Sequence, residues 1–124
     1  NYYSFGADVV APIYGEVVRV VNHVNDNTPG NTNENEPFGN YVMIKHDRNE
    51  YSVLAHLKRN SITVREGDII YSQEVVGQCG NSGNSSEPHL HFQVINAPDL
   101  EKGQSLKIKF ENATQPIKGE ILKN

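Results

Sequence analysis

Short apolar runs, each bounded by turn-forming residues, set the pattern of this chain. Positions 16–21 (Glu-Val-Val-Arg-Val-Val), 40–46, 51–56, 69–70, 74–76 and 89–95 are β-branched or aromatic stretches. Gly, Asn, Asp and Pro stand between them at the spacing of an all-β sandwich or barrel. No window of about ten residues keeps a 3.6-residue apolar period, so helices should be few and short. Asp47-Arg48-Asn49-Glu50 is placed to turn one run back on the next, because Asp and Asn tolerate turn conformations. Beyond Asn96, Leu106-Lys107-Ile108-Lys109-Phe110 alternates like a strand and residues 117–122 form another run; both are expected to close an edge of the same domain. The pattern predicts an all-β domain over 1–124, a single antiparallel sheet of barrel-sandwich kind. One stretch departs from it. Residues 22–37 hold five Asn between positions 25 and 35 and hardly an apolar side chain, so this insertion is expected to be a loop, disordered or functional.

Composition narrows the classes of function. A length of 124 residues suits one domain with one modest core. The formal charge is −4, and no Lys/Arg cluster exceeds Lys58-Arg59, so nucleic acid is not an expected partner. No apolar run approaches the roughly 20 residues that span a bilayer, and no charged and apolar leader opens the chain. Without an initiator Met, the sequence reads as an excised or mature piece of a longer protein. Cys79 is the single cysteine, which excludes an intramolecular disulfide and a thiolate cluster. With Gln78 and Gly80 beside it and no basic neighbour, it is expected to be a small buried residue rather than a catalytic thiol. None of these features specifies an oligomer.

The candidate chemistry lies in the histidines. His89 and His91 stand two apart in a strand-like run, so they project from one face while Leu90 and Phe92 point into a core. Such a pair suits a metal site; alone, it could equally be two exposed strand histidines. Gly-rich turns at 80–85 lead into this run, and a third histidine ends another run in Ala55-His56-Leu57. His23 reads as a surface residue and His46 as a hydrogen-bonded turn residue.

Taken together, Ala55-His56-Leu57, Val64-x-x-Gly67-Asp68, Gly77-x-x-Gly80-Asn81-Ser82-Gly83 and Pro88-His89-Leu90-His91-Phe92 resemble the lysostaphin-type zinc endopeptidases in order and spacing. Val9-x-Ala11-Pro12-x-x-Gly15-x-Val17 and Gly39-Asn40-Tyr41-Val42-x-Ile44-x-His46 extend the resemblance upstream. The resemblance implies an extracellular or cell-envelope enzyme that cleaves peptidoglycan peptides by zinc-assisted attack of water. It makes His91 the metal ligand. It makes His56 and His89 the catalytic pair that acts on the water and on the oxyanion, work suited to a group titrating near neutrality. In the same family a loop in the position of 22–37 flanks the substrate cleft.

The family's other two ligands are a His and an Asp four residues apart near the N-terminus, and here two registers compete. In one, Gly6-Ala7-Asp8-Val9-Val10-Ala11-Pro12 matches a Gly-Thr-Pro-Val-x-Ala-Pro segment, both ligands precede Asn1, and Asp8 is an ordinary strand-edge residue. In the other, Ser4-Phe5-Gly6-Ala7-Asp8 is a degenerate His-x-Gly-x-Asp, with Asp8 a ligand and Ser4 in place of His. The first also places Ala11-Pro12 and Gly15 without a gap. In either register the chain alone lacks a full His, Asp, His set and is expected to bind zinc weakly or not at all. Leu54 replaces a common Tyr, Glu87 a usual Gly and Gln93 a usual Glu, changes expected to alter the hydrogen bonding around the histidines. A non-catalytic relative, serving as a binding or regulatory module of the envelope, is the alternative. The three retained histidines favour the peptidase. A phosphocarrier or lipoyl-like barrel is disfavoured, because no Lys sits on a suitable tight turn and the His-Leu-His-Phe strand is foreign to it.

Overall fold

The computed structural model describes residues 5–28, 30–47, 49–83, 90–98 and 100. Ser4, Glu87, His89 and the two runs beyond residue 101 lie outside them. Seven strands follow in chain order: β1 (Asp8–Val10), β2 (Gly15–Val21), β3 (Asn40–Lys45), β4 (Tyr51–Leu57), β5 (Ile69–Ile70), β6 (Val75–Gln78) and β7 (His91–Ile95). There is no helix among the described residues, and the all-β expectation is borne out. Five strands form an antiparallel sheet in the order β5-β2-β3-β4-β7, while β1 and β6 pair as a separate two-stranded ribbon.

Strand alternation sorts the apolar residues onto two faces. Val42 and Ile44 of β3 join Val17, Leu54 and Leu57, and the ribbon closes over them with Val9 and Val76. Tyr41 and Met43 point the other way and join Tyr51, Val53, Ala55 and Ile95, with Phe38 and Leu100 packed against them. The middle strands are therefore apolar on both sides, and every residue of β4 is buried. Cys79 is fully buried in the first cluster and forms no disulfide.

Turn chemistry accounts for the links. The β3–β4 hairpin closes with His46 N–H donating to the Glu50 carbonyl at 2.7 Å, and Asn49 takes φ +58° there. At the opposite end of the hairpin the β3–β4 register shifts between Asn40 and Val42, a bulge beside the end of β4.

The Asn-rich segment carries few apolar groups yet is tied down by polar ones. Asp26 accepts from the backbone N–H of Asn81 and of Arg59, each at 2.9 Å. Asn27 and Asn81 exchange bonds: the Asn27 N–H donates to the Asn81 carbonyl at 3.0 Å, and the Asn81 amide donates to the Asn27 carbonyl at 3.1 Å. Val24 is the buried apolar side chain among the described residues of this stretch. Side-chain amides and one carboxylate hold the rest, with Asp26 and Asn27 satisfying backbone groups of Asn81 and Gly83.

Candidate functional site

His56 sits one residue before the end of β4, in the left-handed region at φ +60°. A non-glycine residue holds that conformation only where its surroundings fix it. Here they do: His56 N–H donates to the Phe38 carbonyl at 2.9 Å, and its own carbonyl accepts from Gly80 N–H at 3.1 Å. The imidazole Nδ1 lies 2.8 Å from the Ser82 carbonyl oxygen. A carbonyl only accepts, so Nδ1 carries the proton and the basic lone pair is on Nε2.

Ser82 is itself locked. Its hydroxyl donates to the Leu57 carbonyl at 2.6 Å and accepts from Asn40 N–H at 3.0 Å. The Asn40 side chain, fully buried, donates to the carbonyls of Val24 at 2.7 Å and Leu57 at 3.0 Å and accepts from Val24 N–H at 2.7 Å. Gly39 lies so close to Ser82 that a Cβ would come within 2.6 Å of the Ser82 carbonyl oxygen, and its φ is +60°. Three separate stretches, 24–27, 38–40 and 80–82, therefore converge to fix one imidazole.

β7 brings the second histidine. His91 faces Ala55 across the β4–β7 pairing, and its ring meets His56 edge-on, centroids 5.7 Å apart and planes at 85°. Phe38 also packs edge-on against His91, with ring centroids 6.2 Å apart. The His91 Nε2 lies 2.6 Å from Gln93 Oε1. The amide oxygen accepts, so Nε2 is the protonated nitrogen and Nδ1 presents the lone pair. Leu90 is buried in the first core cluster and Phe92 packs against it, which anchors the strand from behind.

The structure thus brings His56 and His91 together, while His89 lies outside the described residues. Asp8 stands at the start of β1, opposite Gln78 in the two-stranded ribbon. His23 is exposed, 3.8 Å from Glu36. His46 lies at the other end of the β3–β4 hairpin, between the Tyr14 carbonyl at 2.8 Å and the Ser52 hydroxyl at 2.6 Å. Burial lowers its pKa below 6.5, against smaller opposing effects of the Tyr14 carbonyl, Glu50 and Asp47.

No three His, Cys, Asp or Glu side chains converge to hold a metal ion among the described residues. His91 Nδ1 has the chemistry of a single zinc donor. His56 has its Nδ1 committed to Ser82. The described residues therefore place two imidazoles side by side without a complete set of metal donors. Sequence patterning finds these two histidines; it gives no role to Asn40 or the Ser82 carbonyl, whose signals are the Gly39-Asn40 pair and the Gly-Asn-Ser-Gly turn at 80–83.

Comparison with known proteins places this geometry in context. The chain matches the profile of peptidase family M23 over residues 2–108. It is similar to the peptidoglycan DD-endopeptidase ShyA of Vibrio cholerae, 36% identical over 100 residues that take in 77% of this chain and 20% of that protein. It is also similar to an uncharacterized metalloprotease of Haemophilus influenzae, 31% identical over 90 residues, 73% of this chain and 16% of that protein. The chain spans a fifth or less of the length of these relatives. Among solved structures, lysostaphin from Staphylococcus simulans superposes with a TM-score of 0.64 at 23% identity, covering 84% of this chain and 39% of that one. A mutant catalytic domain of the prophage-encoded M23 protein EnpA from Enterococcus faecalis gives 0.59 at 24%, covering 82% and 67%. These structural likenesses establish a shared fold.

Proposed function

The chain belongs to peptidase family M23, and from that membership we propose that it is part of a zinc metallo-endopeptidase that cleaves peptide bonds of bacterial cell-wall peptidoglycan in the cell envelope or outside the cell. The observation that carries this is the His56–His91 pair, edge to face at 5.7 Å, each ring tied through one nitrogen to an acceptor. A fold alone would not argue for chemistry. Two imidazoles with fixed tautomers, side by side on the sheet, do.

His91 is the metal ligand, through Nδ1. Zinc, when bound, supplies a Lewis acid and lowers the pKa of its water. With Nδ1 held by the Ser82 carbonyl, His56 is assigned the proton transfers, taking a proton from water through Nε2 and returning it to the leaving amine. His89 is assigned the partner role at the oxyanion. The remaining His and Asp ligands have no His-x-x-x-Asp counterpart between residues 1 and 124, and are assigned to sequence upstream of Gly6-Ala7-Asp8.

A second reading, a non-catalytic envelope module, draws support from the incomplete donor set among the described residues. Calorimetric zinc titration of this chain beside a version of the parent extended upstream separates the two. Tight stoichiometric zinc in the longer chain, abolished by His91→Ala, is the expected result. His56→Ala there should retain zinc while kcat on peptidoglycan drops about 10²–10⁴-fold. No zinc in either chain would overturn the peptidase.

A further inference from the structure

The large apolar side chains left exposed among the described residues are Phe5, Tyr14, Ile69 and Tyr71, and three of these four stand together at one end of the sheet. Tyr14 and Tyr71 lie with ring centroids 5.3 Å apart and planes at 54°. Ile69 is opposite Glu16 in the β5–β2 pairing. Tyr14 and Ile69 line a cleft of about 650 Å³ together with Glu16, Lys45, His46 and Glu50, and Tyr71 stands beside it against the Tyr14 ring. This is not the His56–His91 site. Glu16 pairs with Lys45 and Lys45 with Tyr51, at the opposite end of β4 from His56.

Both sites lie on one side of the sheet, with buried side chains between them. Alternation puts Tyr51, Val53 and Ala55 on the same side of β4, and Ala55 is opposite His91. From Tyr51 to Ala55 the strand advances about 13 Å at its usual rise. The tyrosines are also held in place. The Tyr14 carbonyl accepts from buried His46 at 2.8 Å, and Tyr71 N–H donates to the Glu74 carboxylate at 2.8 Å, so the two rings are presented from fixed backbone.

The charge around the cleft selects the ligand. Among the described lining residues the carboxylates of Glu16, Asp47 and Glu50 outnumber the one ammonium, Lys45, which disfavours phosphate, nucleic acid and acidic lipid. An apolar protein surface or acyl chain would strip water from those carboxylates without replacing its hydrogen bonds. A neutral polyhydroxylated ligand meets both needs, since its hydroxyls donate to carboxylates and its C–H faces lie on exposed aromatic rings whose phenol tips stay wet. We propose that this cleft binds a neutral oligosaccharide, seated on Tyr14 and Tyr71 and hydrogen-bonded to Glu16 and Glu50. Identifying that sugar with the glycan of peptidoglycan rests on the function proposed above.

The test is a titration of the ¹⁵N-labelled chain with tetra-N-acetylchitotetraose, followed by NMR in the presence of a zinc chelator. Saturable shifts centred on Tyr14, Glu16 and Tyr71 are expected. Tyr14→Ala and Tyr71→Ala should each weaken binding about three- to tenfold, with an unchanged urea midpoint because both rings are exposed. Glu16→Gln should also weaken it. Absence of saturable shifts at millimolar sugar, shifts confined to the His56–His91 end, or affinity indifferent to both tyrosine variants would overturn the proposal. So would a parent protein in which another domain shields these tyrosines and no sugar binds. The titration needs no metal and no turnover, so failure of the peptidase assignment leaves its outcome readable.

Discussion

At the scale of single residues, two polar side chains govern the site without being its chemistry. Asn40 is fully buried and makes three side-chain bonds, two to Val24 and one to Leu57. Asn40→Ala strands the Val24 N–H and carbonyl in the interior, and unsatisfied buried groups are costly. Stability should fall by about 3 kcal/mol, read from urea denaturation; a loss under about 1 kcal/mol would mean that water replaces the amide. Gln93 acts on His91. Its Oε1 at 2.6 Å retains the Nε2 proton, so ¹⁵N spectra of the metal-free chain should show the Nε2–H tautomer. Gln93→Leu should raise the Nδ1–H population, whereas Gln93→Glu, which also accepts, should not. An unchanged tautomer in the Leu variant would remove Gln93 from the argument.

At the scale of elements, the segment 79–83 links the core to the site. Gly80 N–H donates to the His56 carbonyl, and a Cβ at Gly80 would collide with the Lys58 backbone and approach Asp26 Oδ1 at 2.5 Å. Gly80→Ala must therefore push this segment off β4, with a loss of about 3 kcal/mol. The His56 imidazole resonances should shift with it, because the Ser82 carbonyl moves. A variant with native stability and native His56 signals would show that the segment yields without cost. The strands themselves were legible in the chain because β-branched runs and turn residues are local signals, and the β2, β3 and β4 stretches lie close to where the runs place them. The choice of face was less legible. Tyr41, Val42, Met43 and Ile44 are all apolar, so no alternation distinguishes the face that carries His91 from the one covered by the ribbon. His56 and His91 stood out through their motifs. The bonds that orient them did not, since Asn40 and Ser82 lie 42 residues apart and Asp26 and Asn81 lie 55 apart, and only the folded chain pairs them.

At the scale of the whole molecule, pH acts on stability through two opposing routes. The chain carries a formal charge of −4, so mild acidification brings it nearer neutrality and relieves self-repulsion. His46 works the other way. Its ring is 8% exposed, with both nitrogens engaged by Tyr14 and Ser52, and burial holds its folded pKa below the ordinary 6.5. The unfolded chain therefore takes up this proton first as pH falls. The contribution of neutral His46 is fully present above about 6.5 and is lost as pH drops through the lower folded value. Asp47 and Glu50 temper the shift without reversing it. Urea midpoints should accordingly decline between neutral pH and mild acid, in spite of the easing of net charge. His46→Gln, which can still donate to the Tyr14 carbonyl, should flatten that decline while costing some stability at neutral pH. An identical slope in the variant would show that the acid sensitivity resides elsewhere, since removing His46 leaves the formal net charge at neutral pH unchanged and isolates a titration that the fold has displaced.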